Sequence, residues 1–295
     1  MENNTKDQYP ILITSLSSFI SGGVARCIVH PLDTLKAKIQ IQQSPKSSEF
    51  LSISRSFYMT MNTEGLKGLY KGLNIAVLGS LPATCIYFTT YELSKNALTQ
   101  SEIFGKNPFF VYFWSGIAAE TVSCVFFVPI DVIKERLQVQ ENLKLYNYNG
   151  TLDAFRTILR SEGVRGIYKA YGATVASFGP FSAFYFLFYE KFKEYFVGEK
   201  KEIGFLNSLF CASLAGSLSA VLTNPLDIAK VRMQVVRATG NSMFPYKNMF
   251  HGIYLIYMTE GLRALFQGSL ARVMFHTPNT AIVMSLLELI RLKLA

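Results

Sequence analysis

Charge is scarce in this chain: 17% of its 295 residues are Asp, Glu, Lys or Arg, against 50% apolar. That balance is unusual for a soluble chain and is better explained by a membrane solvent. Histidine is rarer still, with three copies, and His30 and His251 have no partners at ligand spacing, so no metal is expected. The four cysteines, Cys27, Cys85, Cys124 and Cys211, stand singly in apolar stretches with no CxxC. They exclude a paired framework and read as buried small hydrophobes. Residues 1–10 carry two acids, one Lys and no Arg, so neither a secretory signal nor a cleavable Arg-rich presequence is evident. A nucleophile with its base, a ligand cluster and a phosphate loop are all missing, so neither an enzyme nor a bound cofactor is expected.

Long apolar segments are present, but Gly, Ser, Pro and single charges punctuate them. Phe109 to Ile130 holds one ionisable carboxylate, Glu120, in 22 residues, long enough to span roughly 30 Å of hydrocarbon. Polar positions inside such segments imply a bundle around a water-filled space. The net charge of +9 is unevenly placed. Residues 36–71, 134–169 and 230–263 hold 18 Lys and Arg between them, whereas 95–106 and 191–201 hold 6. Three basic loops fit the positive-inside bias of one membrane side better than a nucleic-acid surface.

One stretch returns three times. Pro31-Leu32-Asp33-Thr34-Leu35-Lys36-Ala37-Lys38-Ile39-Gln40 is matched by Pro129 to Gln138 and by Pro225 to Gln234, at intervals of 98 and 96 residues. Each copy has Pro, Asp, Lys, a second base and Gln in register, so the chain is three fused units. A second signature follows each first one: Glu64 to Gly72, Glu162 to Ala170 and Glu260 to Gly268 lie 33, 33 and 35 residues beyond the prolines. These motifs resemble Px[DE]xx[KR]x[KR] and [DE]Gxxxx[WYF][KR]G of the mitochondrial carrier family, over the whole chain. Ala170 stands for the final Gly in the second unit, and Gln267 for the base in the third.

The resemblance implies an all-α membrane protein: six transmembrane helices in three pseudo-threefold repeats, each with a short matrix-side surface helix. The repeats are set at 11–105, 106–202 and 203–295 behind a tail at 1–10, as one integral domain. The residues themselves suggest spanning helices at Ile11–Gln42, Gly72–Leu98, Phe109–Glu141, Gly172–Phe196, Gly204–Arg237 and Gly268–Leu294. Short helices are expected at Leu51–Thr63, Thr151–Ser161 and Phe250–Thr259. Pro31, Pro129 and Pro225 should kink the odd-numbered spans, because proline removes a backbone donor. Gly22, Gly23, Gly116 and Gly216 would let helices approach closely.

In each first motif, Asp and Lys are three apart and share a helix face just past the kink. Threefold replication brings those faces together. By resemblance, Asp33 pairs with Lys134, Asp131 with Lys230 and Asp227 with Lys36 as a matrix-side gate, with Gln40, Gln138 and Gln234 bracing it. A second ring near the far ends of the even-numbered helices fits the family's [FY][DE]xx[KR]: Tyr91, Glu92 and Lys95; Tyr189, Glu190 and Lys193; and Glu288 with Arg291. There Leu287 lacks the aromatic ring. The implied pairs are Glu92–Lys193, Glu190–Arg291 and Glu288–Lys95, with Tyr91 and Tyr189 as braces.

The family resemblance also places substrate contacts about one turn before the prolines of the even-numbered helices. The matching positions are Gly79 and Ser80, Ser177 and Phe178, and Phe275 and His276, with Ala83, Phe181 and Asn279 a turn further on. Arg26 matches a position often basic in the family, and Cys124 and Ala220 stand at its offset in the other repeats. Glu120 and Arg272 are likewise asymmetric, and helix-to-helix bonding and substrate contact both remain open for them. Phe178, Phe181, Tyr185 and Phe275 could stack on a planar ligand or pack against lipid. With few convergent cations, the expected substrate is a small zwitterionic or singly charged metabolite or cofactor-like molecule.

The reading is a multi-pass solute carrier of the mitochondrial inner membrane, working by alternating access between two salt-bridge gates. Its partners are a small-molecule substrate and the lipid bilayer, with anionic lipids at the short surface helices and no nucleic acid. Three repeats already make a closed bundle, so a monomer is expected. The competing reading is a carrier-fold membrane protein without transport activity, acting as a receptor or assembly factor.

Overall fold

The apolar segments become long helices. The computed structural model describes residues 3–42, 49–101, 108–144, 146–197, 205–236 and 245–294. Its elements are α1 (Asn3–Gln40), α2 (Glu49–Leu69), α3 (Leu73–Thr99), α4 (Pro108–Leu143), α5 (Thr151–Ile167), α6 (Tyr171–Val197), α7 (Phe205–Leu222), α8 (Asn224–Val235), α9 (Met249–Glu260), α10 (Leu262–Leu265) and α11 (Ser269–Leu294). A proline lies inside α3, α4, α6 and α11, and no strand occurs among the described residues. Around the bundle α1 packs on α3, α3 on α4, α4 on α6, α6 on α7, α7 on α11, and α11 returns to α1. The ring of helices is therefore closed. Helices α2, α5 and α9 pack on α1, α4 and α8, the ends that carry the first motif.

Several boundaries differ from expectation. Residues expected as a tail are helical from Asn3, since adding turns to an existing helix costs far less than starting one. The third odd span, expected as one helix from Gly204 to Arg237, is broken into α7 and α8 at Thr223. Pro225 lies in the first turn of α8, where its missing N–H is harmless. Arg272 takes over the neighbouring acceptors, donating from Nη1 to the Ala220 carbonyl at 2.9 Å and to Thr223 Oγ1 at 3.0 Å.

Helices α2 and α5 run longer than expected because each continues past a glycine that bends it. Gly65 (φ 65°, ψ −165°) and Gly163 (φ 66°, ψ −163°) adopt backbone that a Cβ would forbid. Gly261 (φ 83°, ψ 175°) does the same between α9 and α10. That conformation explains the glycine of the second motif. The close approach expected at Gly22 and Gly116 is not found, as a Cβ at either would meet nothing within 4 Å. It occurs instead at Gly79, where a Cβ would come within 2.8 Å of Ile130 on α4.

Two cysteines also depart from the reading: Cys124 and Cys211 are buried, but Cys27 and Cys85 are exposed. They sit among outward apolar residues such as Val24 and Ile28, a surface that hydrocarbon covers at no cost. Three stretches among the described residues are long and apolar enough to cross a membrane by themselves: one within Ser52–Thr99, Trp114–Leu143 and Phe205–Leu222. At the first-motif end Ala37, Ile41, Val139, Val231, Val235 and Val236, in or just after α1, α4 and α8, form one buried cluster.

Candidate functional site

The first-motif segments of α1, α4 and α8 bring the three aspartates to a shared centre. Lys134 Nζ lies 2.9 Å from Asp33 Oδ2, Lys230 Nζ 2.9 Å from Asp131 Oδ2, and Lys36 Nζ 2.8 Å from Asp227 Oδ2. Each pair joins one repeat to the next, in the combinations that the family resemblance implied. Two glutamines support it. Gln40 Nε2 donates to Asp227 Oδ2 at 2.9 Å, and Gln138 Nε2 to Asp33 Oδ2 at 3.3 Å and Thr34 Oγ1 at 3.1 Å. Gln234 departs from the pattern: its Nε2 donates to Thr174 Oγ1 at 3.5 Å and has no hydrogen bond to Asp131.

A second layer lies behind the ring, and the sequence reading missed it. The second base of each first motif reaches the glutamate of its own second motif: Lys38 to Glu64, Arg136 to Glu162 and Arg232 to Glu260. The signal was a base-to-acid interval of 26, 26 and 28 residues between the two motifs of each repeat. Both arginines also cross to the next repeat. Arg136 donates to the carbonyls of Gln234 (3.2 Å) and Val236 (2.9 Å), and Arg232 to those of Gln40 (2.9 Å) and Gln42 (2.8 Å). Lys38, with one nitrogen, spends it on Glu64 and on Thr60 Oγ1.

The ring floors a cavity of about 200 Å³. Of the expected substrate contacts, Arg26, Ser177, Phe178, Phe181, Phe275 and His276 line it. Gly79, Ser80, Ala83 and Asn279 are not part of that lining. Gly79 is consumed by packing on Ile130, the Ser80 hydroxyl donates to the Val77 carbonyl at 2.9 Å, and Ala83 is fully buried. Helix α3 contributes Ala76 to the wall instead.

Arg26 Nη1 donates to the Ala76 carbonyl at 2.8 Å and makes no ion pair among the described residues. Arg272 makes the helix-to-helix bonds that were one of its two open roles. It bonds α7 to α11, approaches Asp227 Oδ2 at 3.5 Å, and still lines the cavity. Its guanidinium sits 5.5 Å over the Phe181 ring, and Lys230 Nζ 5.4 Å over Phe178, geometry that favours cation–π attraction. Phe181 in turn stacks on His276 at 5.2 Å. Tyr185 packs between Phe181 and Tyr189, and Glu120 accepts from the Cys124 thiol at 3.3 Å; neither is part of the lining. Glu135, which the sequence reading passed over, is.

At the opposite end, Glu92 and Lys193 form no ion pair. The side chains of Glu288 and Arg291 lie outside the described residues, and with them the pairs expected for Glu190 and Lys95. The Tyr189 hydroxyl shares a 3.1 Å hydrogen bond with Ser208 Oγ, and the Tyr91 ring stacks on Tyr87 at 6.5 Å, so neither braces an ion pair here. No group of three potential metal ligands occurs among the described residues.

A family model described as mitochondrial carrier protein matches residues 7–102, 105–200 and 201–295. The chain belongs to the mitochondrial carrier family. It is 33% identical over 301 residues to mitochondrial substrate carrier family protein E of Dictyostelium discoideum, covering 98% of this chain and 97% of that one. To the mitochondrial 2-oxodicarboxylate carrier of Mus musculus it is 30% identical, over 91% of this chain and 90% of the relative. The mitochondrial S-adenosylmethionine carrier protein of Mus musculus is also 30% identical, at 87% coverage of both. Carriers of this family are multi-pass proteins of the mitochondrial inner membrane and are transporters, not enzymes. This carrier accordingly moves a small solute.

Proposed function

We propose that the carrier exchanges a small zwitterionic or singly charged metabolite or cofactor-like molecule by alternating access between two ionic gates. Asp33, Asp131 and Asp227 with Lys36, Lys134 and Lys230 form the matrix-side gate. Glu92, Glu190 and Glu288 with Lys95, Lys193 and Arg291 form the other. The observation that carries this reading is the closed ring: three inter-repeat pairs at 2.8–2.9 Å join the repeats at one end, while among the described residues no ion pair joins Glu92 to Lys193 at the other. A close pair at an effective dielectric near 20 has a Coulomb attraction of about 4 kcal/mol at 4 Å, before desolvation is subtracted. Opening three pairs unaided would be rare. If one ring closes as the other opens, the costs largely cancel, and the substrate supplies the remainder through contacts that differ between the two states.

The substrate class is read from the charges left over in the cavity. Lys36, Lys134 and Lys230 are committed to the ring and Arg272 to Asp227 and backbone, which leaves Arg26 for an anionic group. One available guanidinium suits a single carboxylate better than a polyanion. Phe178, Phe181, Phe275 and His276 suit an apolar or planar portion.

Reconstitution in liposomes tests the proposal. Exchange of a small metabolite is expected, with Lys134→Ala or Lys193→Ala depressing it and Arg26→Ala weakening binding in a folded protein. Exchange rates indifferent to both lysine changes would reject the gates. A thermal-shift screen of metabolites would identify the substrate, since a ligand of the folded state raises apparent stability.

A further inference from the structure

The ring is threefold in its pairs but not in its charges. At the position between the two bases of the first motif, repeats one and three place Ala37 and Val231 in a buried apolar cluster. The second repeat places Glu135 there, 5% exposed. Its Oε1 lies 3.1 Å from Lys134 Nζ, which already holds Asp33 at 2.9 Å. Oε2 is buried with no hydrogen-bond partner, and the side chain lines the central cavity. A carboxylate in a place that the other repeats fill with hydrocarbon is expensive to desolvate, and the ring does not need it, since Lys134 has its aspartate.

At the opposite corner the imbalance is reversed: Asp227 holds Lys36 at 2.8 Å and faces Arg272 at 3.5 Å. The floor of the cavity therefore has an acid-rich corner between repeats one and two and a base-rich corner between repeats three and one.

We propose that Glu135 is a specificity-determining residue, whose free Oε2 receives the ammonium of an amino-acid-like substrate. This rests on the reading of the chain as a gated carrier and names its substrate class. An ionised carboxylate has acceptor sites on both oxygens, so Glu135 can keep Lys134 on one and take a second cation on the other. Solutes with the same skeleton but no amine would leave that oxygen buried and unpaired, a strong basis for discrimination.

The experiment uses the full chain, purified in detergent, and a panel of α-amino acids (glutamate, lysine, methionine and tryptophan), each beside its 2-oxo acid. The readout is the concentration giving half-maximal thermal stabilisation. For at least one pair the amino acid is expected to act at a tenfold lower concentration than the oxo acid. Glu135→Gln should abolish that preference, and Glu135→Asp, which keeps the charge, should retain part of it. A wild-type protein without amine preference, or a Glu135→Gln protein that keeps it, overturns the proposal. So does a Glu135→Gln protein with a lower midpoint and unaltered preference, the outcome of a purely structural role. Lys134→Ala and Lys193→Ala exchange assays run alongside: if they depress transport while Glu135→Gln changes no preference, the gates stand and the specificity assignment falls.

Discussion

Arg232, in the first motif of the third repeat, donates its Nε to the carbonyl of Gln40, in the first motif of the first, at 2.9 Å. The same fully buried guanidinium holds Glu260 with two nitrogens at 2.5 and 2.9 Å and the Gln42 carbonyl at 2.8 Å. One side chain thus ties a surface helix to its own repeat and that repeat to the next. Arg232→Ala would leave Glu260 buried without its cation and should cost about 3–5 kcal/mol. Arg232→Lys keeps the charge but loses the fork, and should cost about 1–3 kcal/mol. Thermal denaturation in detergent measures both, and a lysine variant as stable as the parent would show that the carbonyl bonds contribute nothing.

The three motif glutamines should not be equivalent. Gln40 and Gln138 each donate to a ring aspartate, whereas Gln234 makes only a 3.5 Å contact to Thr174. Hydrogen bonds to charged groups contribute about 1.5–3 kcal/mol. Gln40→Ala and Gln138→Ala should each lower stability in that range, and Gln234→Ala by less than about 1 kcal/mol. Equal losses at all three would show that Gln234 serves the ring by a route other than Asp131.

Ala170 adopts φ 69° where the corresponding residues, Gly72 and Gly268, have φ 81° and 80°. A left-handed residue with a Cβ costs roughly 1–2 kcal/mol. Part of that would be regained in Ala170→Gly, because glycine gains freedom in the unfolded chain and the buried methyl is lost. The expected net change is a stabilisation of up to about 1 kcal/mol, read as a rise in thermal midpoint. A clear fall would mean that the methyl group's packing against its buried neighbours outweighs the strain.

Lys169, in the turn between α5 and α6, has its pKa lowered to about 8, chiefly by burial, with Arg136 adding to the shift and Glu162 opposing it. The folded state therefore releases its proton before the unfolded state does. Between pH 8 and the ordinary lysine range the unfolded chain binds more protons, so stability rises with pH through that window and the penalty is fully present below it. Lys169→Met should remove this rise. Midpoints measured from pH 7 to 10 for both proteins check it, and parallel profiles would reject it.

The ring was legible because it is written three times. Threefold spacing brought the motif faces of Asp33, Asp131 and Asp227 to one centre, and the family resemblance set them opposite Lys134, Lys230 and Lys36. Features that break the symmetry were the hardest to read. Glu135 occupies a motif position whose identity is free in the pattern, so nothing marked it until its burial and its open oxygen were visible. Gly79 pointed to a substrate contact by offset, but a glycine's role is set by what its missing Cβ allows, here Ile130. Arg272 could not be assigned because one guanidinium serves a broken helix, an aspartate and the cavity wall together.

The two crossing arginines join repeat two to three and repeat three to one, while Lys38 makes no corresponding reach toward repeat two. At that seam the outer tie is Lys71 to Glu141 at 3.4 Å, half in water. A bracelet with two clasps and a gap does not widen evenly. It gives way at the gap and swings about the fastened joints, so the carrier should part first between α1 and α4, the corner where Glu135 waits.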